Sequence, residues 1–235
     1  MSGHRFDIWH LLILAAVVGT AGALTILVRR KPARERTVRL ALAALIGAVE
    51  LAWYVFVIVR GWFSPPFGLP LDLCDVVLWL TVAVLVRRSS RIFGVVYYWG
   101  LAGTTMALLM PDLAVPFTSL IAVKFFYTHG MVVTALLFLA WSGTLRPSPG
   151  SWWRAFLWLQ AYAAVIGVFN AVFLTNYFYL CHKPTSGSLL DLFGAWPLYI
   201  VVSDVLAAGI FFLFSLRFRE KGRMRWGNLS DFFLI

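Results

Sequence analysis

Seven long apolar segments, separated by short polar stretches, follow one another along the chain. Most of them are close to the roughly 20 residues that a helix needs to span the hydrocarbon core of a bilayer. The pattern predicts an all-α membrane protein, a seven-transmembrane helix bundle that forms a single polytopic membrane domain over residues 1–235. The predicted helices cover residues 8–28, 38–59, 71–86, 93–110, 124–141, 152–174 and 196–216.

The composition excludes a soluble domain. Hydrophobic residues make up 61% of the 235 residues and charged residues only 13%, which leaves too little polar surface for a soluble protein of this size. The net charge of +10 lies in short clusters between apolar segments, without any nucleic-acid-binding motif. We therefore expect a multi-pass protein of the inner or plasma membrane whose partners are membrane lipids and not nucleic acid.

The basic residues fall on alternate connections between the predicted helices. Apart from Arg5, Arg60, Lys124 and Lys183, every Lys and Arg lies in residues 29–39, 87–91, 146–154 or 217–225. Cytoplasmic loops carry an excess of Lys and Arg, so the alternation predicts an N-out/C-in orientation. The positive charges follow the first apolar segment, whereas those of a cleaved signal peptide precede it. The first segment is therefore predicted to be a retained helix.

Residues 69–79 place two carboxylates and a thiol at the start of the third apolar segment. An ionised Asp at the centre of a membrane helix costs about 2.5–3.5 kcal/mol on insertion scales. We therefore expect Asp72 and Asp75 to face protein or water. The predicted topology puts Cys74 about one turn below the outer membrane boundary. His129 lies at a similar depth in the fifth helix if Lys124 extends to the outer interface.

Polar residues of other helices are predicted to approach the same region. Thr104 lies about two turns below the outer end of the fourth helix. Asn176 and Tyr179 lie where the sixth helix emerges from the membrane. Glu50 and Asp204 lie deeper, nearer the midplane. We expect these groups to converge on one cavity that opens toward the outer leaflet.

Cys74 and His129 are the candidate reactive pair, and each also has a structural interpretation. Cys74 is a nucleophile, a small buried residue or one half of a disulfide with Cys181, the other cysteine of the chain. His129 is a base for Cys74 or a substrate hydroxyl, or a core histidine bonded to a backbone carbonyl. Cys181 and His182 form a two-ligand fragment without further ligand spacing, so no metal site is expected.

The buried carboxylates have alternative interpretations of their own. Asp72 and Asp75 lie three residues apart on one helical face, where they can interact with the positive end of the helix. Glu50 and Asp204 can join neighbouring helices by hydrogen bonds or form part of a proton path. Together these four groups would suit a transporter or receptor for a cation or small solute, which is the alternative to an enzyme.

Five short motifs lie along the apolar segments and their connections. They are Leu69-Pro-Leu-Asp-Leu-Cys-Asp, Tyr98-Trp-Gly-Leu-Ala-Gly-Thr, Pro111-Asp-Leu, Phe125-Phe-Tyr-Thr-His-Gly and Thr175-Asn-Tyr-Phe-Tyr-Leu-Cys-His-Lys-Pro, the last followed by Ser188-Leu-Leu-Asp and Trp196-Pro. Over about residues 40 to 215 they resemble the YwaF family of bacterial integral membrane proteins. That family is similar, more distantly, to a eukaryotic transmembrane acyltransferase that moves polyunsaturated acyl chains between phospholipids through a cysteine thioester.

The resemblance implies that Cys74 is the acyl-accepting cysteine and that His129 is the essential histidine. The residue after the cysteine is Asp75, where the acyltransferase is expected to have a polar residue. A negative charge beside a thiol disfavours the thiolate. A His129 imidazolium within reach would restore the thiolate by ion pairing, as in Cys–His enzymes.

The expected chemistry is acyl transfer or acyl hydrolysis in the outer leaflet. A thiolate just below the headgroups would attack a phospholipid ester, release a lysolipid and pass the acyl group to a second hydroxyl, with no cofactor required. Asn176, Thr104 or Tyr98 would donate to the tetrahedral oxyanion, a contribution of about 3–4 kcal/mol for a well-placed donor.

Overall fold

In a computed structural model, residues 8–111, 113, 115–184 and 188–218 are described, and among them all regular structure is helical, with no strand. Short 3-10 turns lie in the connections at Pro32–Arg34, Tyr177–Tyr179 and Leu189–Phe193. The seven longer helices are α1 (Ile8–Arg30), α2 (Glu35–Val59), α3 (Leu73–Arg87), α4 (Ser90–Leu109), α5 (Leu120–Ser142), α6 (Ser151–Phe173) and α7 (Leu198–Leu216).

The predicted helices are all present, with shifted ends. The largest shift is at α5, which begins about one turn before residue 124 because Ser119 caps it. The Ser119 hydroxyl accepts a hydrogen bond of 3.1 Å from the backbone N–H of Ala122, and such a cap satisfies a donor that the helix itself leaves unpaired. Lys124 therefore lies inside α5 and not at its mouth.

Six of the seven helices in the described chain are long and apolar enough to cross a membrane. The exception is α3, whose 15 residues give a length of only about 22 Å, against a hydrocarbon core of about 30 Å. Large Leu, Val and Trp side chains are exposed on the outer faces of the other helices, as on a surface that contacts lipid. The chain is thus a multi-pass membrane protein; seven crossings and the N-out/C-in orientation stay predictions.

The basic connections described by the structure lie at one end of the bundle, which we call the basic end. Arg29, at the end of α1, donates to the carbonyl of Trp141 at the end of α5. Arg39 in turn reaches the end of α3, next to residues 87–91. Most of the basic stretch 217–225 lies outside the described residues, as do Arg5 and, within the motif Pro111-Asp-Leu, Asp112.

Buried Arg39 of α2 fixes the C-terminal end of α3. Its guanidinium donates to the carbonyl oxygens of Leu85 and Val86 and pairs with Glu35 at 3.0 Å. The last carbonyls of a helix have no partner within the helix and form its negative end. Arg39 donates hydrogen bonds to these carbonyls and places a positive charge at the negative end of the helix. It thereby holds the C-terminal end of α3 against α2, and Cys74 lies at the opposite end of α3.

A π-helical turn at Gly100–Thr104 interrupts α4 where it passes between α3 and α5. A Cβ atom at Gly100 would collide with Cδ1 of Leu136 and lie 3.2 Å from Cγ1 of Val77. Glycine therefore permits this close approach of three helices without displacing Leu136. The turn ends at Thr104, whose side chain is buried, and π turns often occur at functional sites.

Candidate functional site

A small cavity lies between α3, α4 and α5, at the end of the bundle opposite the basic end. It has room for about one or two water molecules, which is far less than an acyl chain occupies. Cys74 of α3 and His129 of α5 are both part of its wall. The complete lining is Cys74, Asp75, Leu78, Thr104, Lys124, Thr128, His129 and Val132.

Cys74 lies in the first turn of α3, directly after the N-cap residue Asp72 and Leu73. The unpaired N–H groups of a helix N terminus carry partial positive charge, which stabilises an anion placed there. Cys74 and Cys181 are both free thiols in this structure. The disulfide between them, one of the alternatives for Cys74, is therefore absent.

His129 is oriented by a hydrogen bond within its own helix. Its Nδ1 atom lies 2.8 Å from the carbonyl oxygen of Phe125, one turn earlier. A carbonyl can only accept, so Nδ1 carries the hydrogen and Nε2 of the neutral ring is the nitrogen that can take up a proton. The Phe125 ring stacks on the imidazole with 4.1 Å between ring centroids. The bond to a backbone carbonyl and the role of base are thus compatible.

Lys124 forms a part-buried ion pair with Glu50 of α2. Its Nζ atom lies 3.1 Å from Oε1 and 2.9 Å from Oε2 of Glu50, whose side chain is 1% exposed. The ammonium also lies 5.6 Å from the centre of the Trp53 ring of α2, a distance at which a cation and a ring attract. This pair joins α2 to α5 and brings a positive charge to the cavity wall.

Two features of the sequence are consistent with this pairing. Lys124 and Glu50 are opposite charges, each isolated within an apolar segment. Such charges in a membrane helix normally pair with one another. Which charges pair, however, depends on the arrangement of the helices.

Thr104 reaches the cavity from the end of the π turn in α4. Thr128 also lines it, but its hydroxyl donates to the Lys124 carbonyl at 2.9 Å. Serine and threonine hydroxyls commonly make this bond to the preceding turn of their own helix. The hydroxyl hydrogen of Thr128 is therefore already used, which leaves Thr104 as the better candidate for a hydroxyl that contacts a substrate.

Tyr98, a predicted oxyanion donor, does not line the cavity. Its hydroxyl accepts a hydrogen bond of 3.5 Å from Ser151, the first residue of α6, next to the basic connection 146–154. Its ring packs against Phe211 of α7, with 5.5 Å between centroids. Tyr98 thus belongs to the packing between α4, α6 and α7.

Asn176 and Tyr179 hold the connection between α6 and α7 and are not part of the cavity lining. The side-chain oxygen Oδ1 of Asn176 accepts from the backbone N–H groups of Cys181 and His182 at 3.0 and 3.1 Å. The Tyr179 carbonyl accepts from the hydroxyl of Tyr199 at 2.6 Å. Asparagine often closes loops in this way. The position of Asn176 in a loop is therefore explained by its structural role, and the prediction that it lines the cavity was wrong.

The four predicted carboxylates differ in their bonding partners. Asp72 Oδ1 accepts from the backbone N–H of Phe178 at 2.9 Å, and Asp204 Oδ1 accepts from Gln160 of α6 at 3.1 Å. Glu50 pairs with Lys124. In the described chain only Asp75 among the four lines the cavity, and it lies close enough to Asp72, Glu50 and Lys124 for their charges to interact.

Two tyrosines fix the segment that precedes Cys74. The Tyr177 hydroxyl donates to the Pro66 carbonyl at 2.6 Å and accepts from the Leu69 N–H at 2.8 Å. The Tyr162 hydroxyl of α6 donates to the Leu71 carbonyl at 2.5 Å. Burial raises the pKa of the Tyr177 phenol above its usual value, so the hydroxyl keeps its hydrogen at neutral pH. The sequence predicted Tyr177 near the outer end of the sixth helix, together with Asn176 and Tyr179, and predicted no role for Tyr162.

These features define the class of protein: a multi-pass, all-helical membrane protein with a small polar cavity near one end, lined by a cysteine and a histidine. Among the residues that the structure describes, no three His, Cys, Asp or Glu side chains are grouped as metal ligands would be. The chain belongs to the TMEM164 family, whose family model matches residues 5–215. No curated protein and no solved structure matches the chain. Membership of the YwaF family stays a prediction.

Proposed function

We propose that this protein is a lipid-modifying membrane enzyme that transfers or hydrolyses acyl groups through Cys74 and His129. The observation that carries the proposal is their common cavity, which joins a thiol from α3 and an imidazole from α5. A cysteine nucleophile needs an adjacent base, and the hydrogen bond to Phe125 leaves Nε2 of His129 for that role. The resemblance of residues 69–75 and 125–130 to the YwaF family, which is more distantly similar to a thioester-forming acyltransferase, supports the same assignment.

In the proposed reaction, His129 Nε2 takes the proton of the Cys74 thiol, and the thiolate sulfur attacks the ester carbonyl carbon of a phospholipid. A carbon–sulfur bond forms and the carbonyl electrons move to its oxygen. Collapse of this intermediate breaks the ester carbon–oxygen bond, and the lysolipid leaves with the proton from the imidazolium. A second hydroxyl, from a lysolipid or water, then attacks the thioester with His129 as base and regenerates the thiol.

The position of the cavity supports a reaction close to a membrane surface. Cys74 lies in the first turn of the short helix α3, at the end opposite the basic end. If the basic end faces the cytoplasm, as the positive-inside rule predicts, the thiol lies near the ester groups of the outer leaflet. The cavity is much smaller than an acyl chain, so in the proposed reaction the chain stays outside it and the ester group approaches Cys74 from the cavity mouth.

The test is formation of an acyl-enzyme. Purified protein in lipid nanodiscs is incubated with a phospholipid that carries a labelled acyl chain, and the hydroxylamine-sensitive label on the protein is measured. We expect label on the wild type, none on Cys74→Ala, and at least a hundredfold slower labelling of His129→Ala, because general bases contribute about 10²- to 10⁴-fold.

Cys181→Ala is the matched control, because Cys181 is the second free thiol and lies outside the cavity lining. It should label at the wild-type rate. A wild type that never acquires label, or a Cys74→Ala variant that keeps it, contradicts the proposal and directs attention to the carboxylates of the transporter alternative.

A further inference from the structure

The cavity wall contains a cation that the Cys–His mechanism above does not use. Lys124 lines the same small space as Cys74 and His129. Its side chain is about one-fifth exposed, whereas its partner Glu50 is almost completely buried. A space with room for about one or two water molecules keeps the groups of its wall within a few ångströms of any reacting atom inside it.

The ammonium group of Lys124 has more hydrogen-bond donors than Glu50 can use. An ammonium has three donors, and the oxygens of Glu50, at 3.1 and 2.9 Å from Nζ, engage at most two of them. In the described chain no second carboxylate lies within ion-pair distance of Lys124. At least one N–H is therefore not used by Glu50, on a side chain that forms part of the cavity wall.

We propose that Lys124 is a further catalytic residue, the donor that stabilises the tetrahedral oxyanion at the Cys74 thiol; the inference rests on the proposed function. When the thiolate attacks the ester carbon, the carbonyl electrons move to the oxygen, which accepts the free ammonium hydrogen. No proton leaves the lysine. When the intermediate collapses, the electrons return to form the thioester carbonyl and the lysolipid departs with the proton from His129. Donors preorganised in this way are often the largest single contribution to catalysis.

Glu50 is the positioning residue for this donor. A lysine side chain has four rotatable bonds and loses much conformational freedom when it is fixed. The paired carboxylate of Glu50 and the Trp53 ring hold the ammonium at the cavity, so it needs no reorganisation when negative charge develops. The pair also has a structural role, since it joins α2 to α5, and the experiment must separate the two.

The decisive variant is the double substitution Glu50→Gln with Lys124→Met. Loss of Lys124 alone leaves a buried unpaired carboxylate, which is strongly destabilising, whereas replacement of both partners is often tolerated. The double variant keeps the net charge of the site and removes the donor. Its matched control is the pair Lys183→Met with Asp191→Asn, which removes an ion pair of 3.8 Å in the connection between α6 and α7.

Two rates are measured for each protein in nanodiscs, in a Cys181→Ser background. The first is acylation of Cys74 by the labelled phospholipid. The second is alkylation of Cys74 by iodoacetamide, a displacement at a saturated carbon that forms no oxyanion. We expect the double variant to lose about 100- to 1000-fold in acylation, the effect of removing one oxyanion donor, and to keep alkylation within about threefold. The control pair should keep both rates.

Each other result has a defined meaning. If the double variant acylates at the wild-type rate, Lys124 is structural and the inference fails while the proposed function stands. If acylation and alkylation fall together, the pair maintains the thiol or the fold, and the oxyanion role is again wrong. If the wild type acquires no label on Cys74, the proposed function is wrong, and the role of Lys124 as oxyanion donor is wrong as well.

Discussion

At the scale of single residues, the hydrogen bond from His129 to its own helix decides which ring nitrogen is basic. The Nδ1–H group is held by the Phe125 carbonyl at 2.8 Å, so the role of base falls to Nε2. A histidine that only packs in the core and one that also removes a proton would look alike in the sequence. The two roles can be separated by a substitution that keeps the bond and removes the base.

His129→Asn is that substitution. Its side-chain amide can keep donating to the Phe125 carbonyl, because Nδ2 of asparagine lies close to the position of Nδ1 in histidine, but it cannot take up a proton. We expect acylation of Cys74 to fall about 10²- to 10⁴-fold, with little change in the melting temperature in detergent. A variant that keeps the wild-type acylation rate would show that His129 is a packing residue.

At the scale of helices, the π turn of α4 sets how closely three helices approach. Gly100 contacts Leu136 of α5 and Val77 of α3 without room for a Cβ atom. Interiors are packed to the density of organic crystals, so an added methyl group forces neighbours apart. The same turn brings Thr104 to the cavity, so the packing at Gly100 and the shape of the site depend on each other.

Gly100→Ala should lower the free energy of unfolding by about 1–3 kcal/mol, the usual cost of overpacking. The matched control is Gly103→Ala in the same turn, whose Cβ would lie 3.7 Å from Leu73 Cδ2, an ordinary contact. Adding Leu136→Val should recover part of the stability lost at Gly100. Equal stability of the two alanine variants, measured by denaturant unfolding in micelles, would contradict this account of the π turn.

Much of the helical architecture was predictable from the sequence, and the contacts that were not predictable have a physical reason. The apolar segments gave the number and approximate bounds of the helices, because the length of a membrane helix is set by the bilayer. The start of α5 was readable in principle from Ser119, a favoured N-cap residue. The surroundings of Tyr98 and the Glu50–Lys124 pair were not, because both depend on the rotation of each helix about its axis.

At the scale of the whole molecule, the orientation in the membrane decides which leaflet the cavity serves. The basic end and the cavity lie at opposite ends of the bundle. Lys and Arg favour the cytoplasmic side of short connections. The charge pattern therefore predicts a cavity that faces the outer leaflet.

The orientation can be tested by single cysteines in a Cys74→Ser, Cys181→Ser background. Ser64→Cys and Ser148→Cys place thiols on exposed connections at the two ends of the bundle. In intact cells, a membrane-impermeant maleimide should label the residue at position 64 and leave position 148 unlabelled until the cells are opened. Labelling of position 148 from outside would reverse the topology and move the site to the inner leaflet.

The fixation of α3 at both ends bears on how the protein responds to different bilayers. A helix that mismatches the hydrocarbon thickness normally adjusts by tilting or by distorting the lipid around it. For α3, Arg39 holds one end, and hydrogen bonds from Tyr162 and Tyr177 hold the segment before the other. Its depth is thus set by neighbouring helices rather than by lipid. In thin and thick bilayers alike, Cys74 keeps its place within the bundle, and only the height of the lipid esters around it changes.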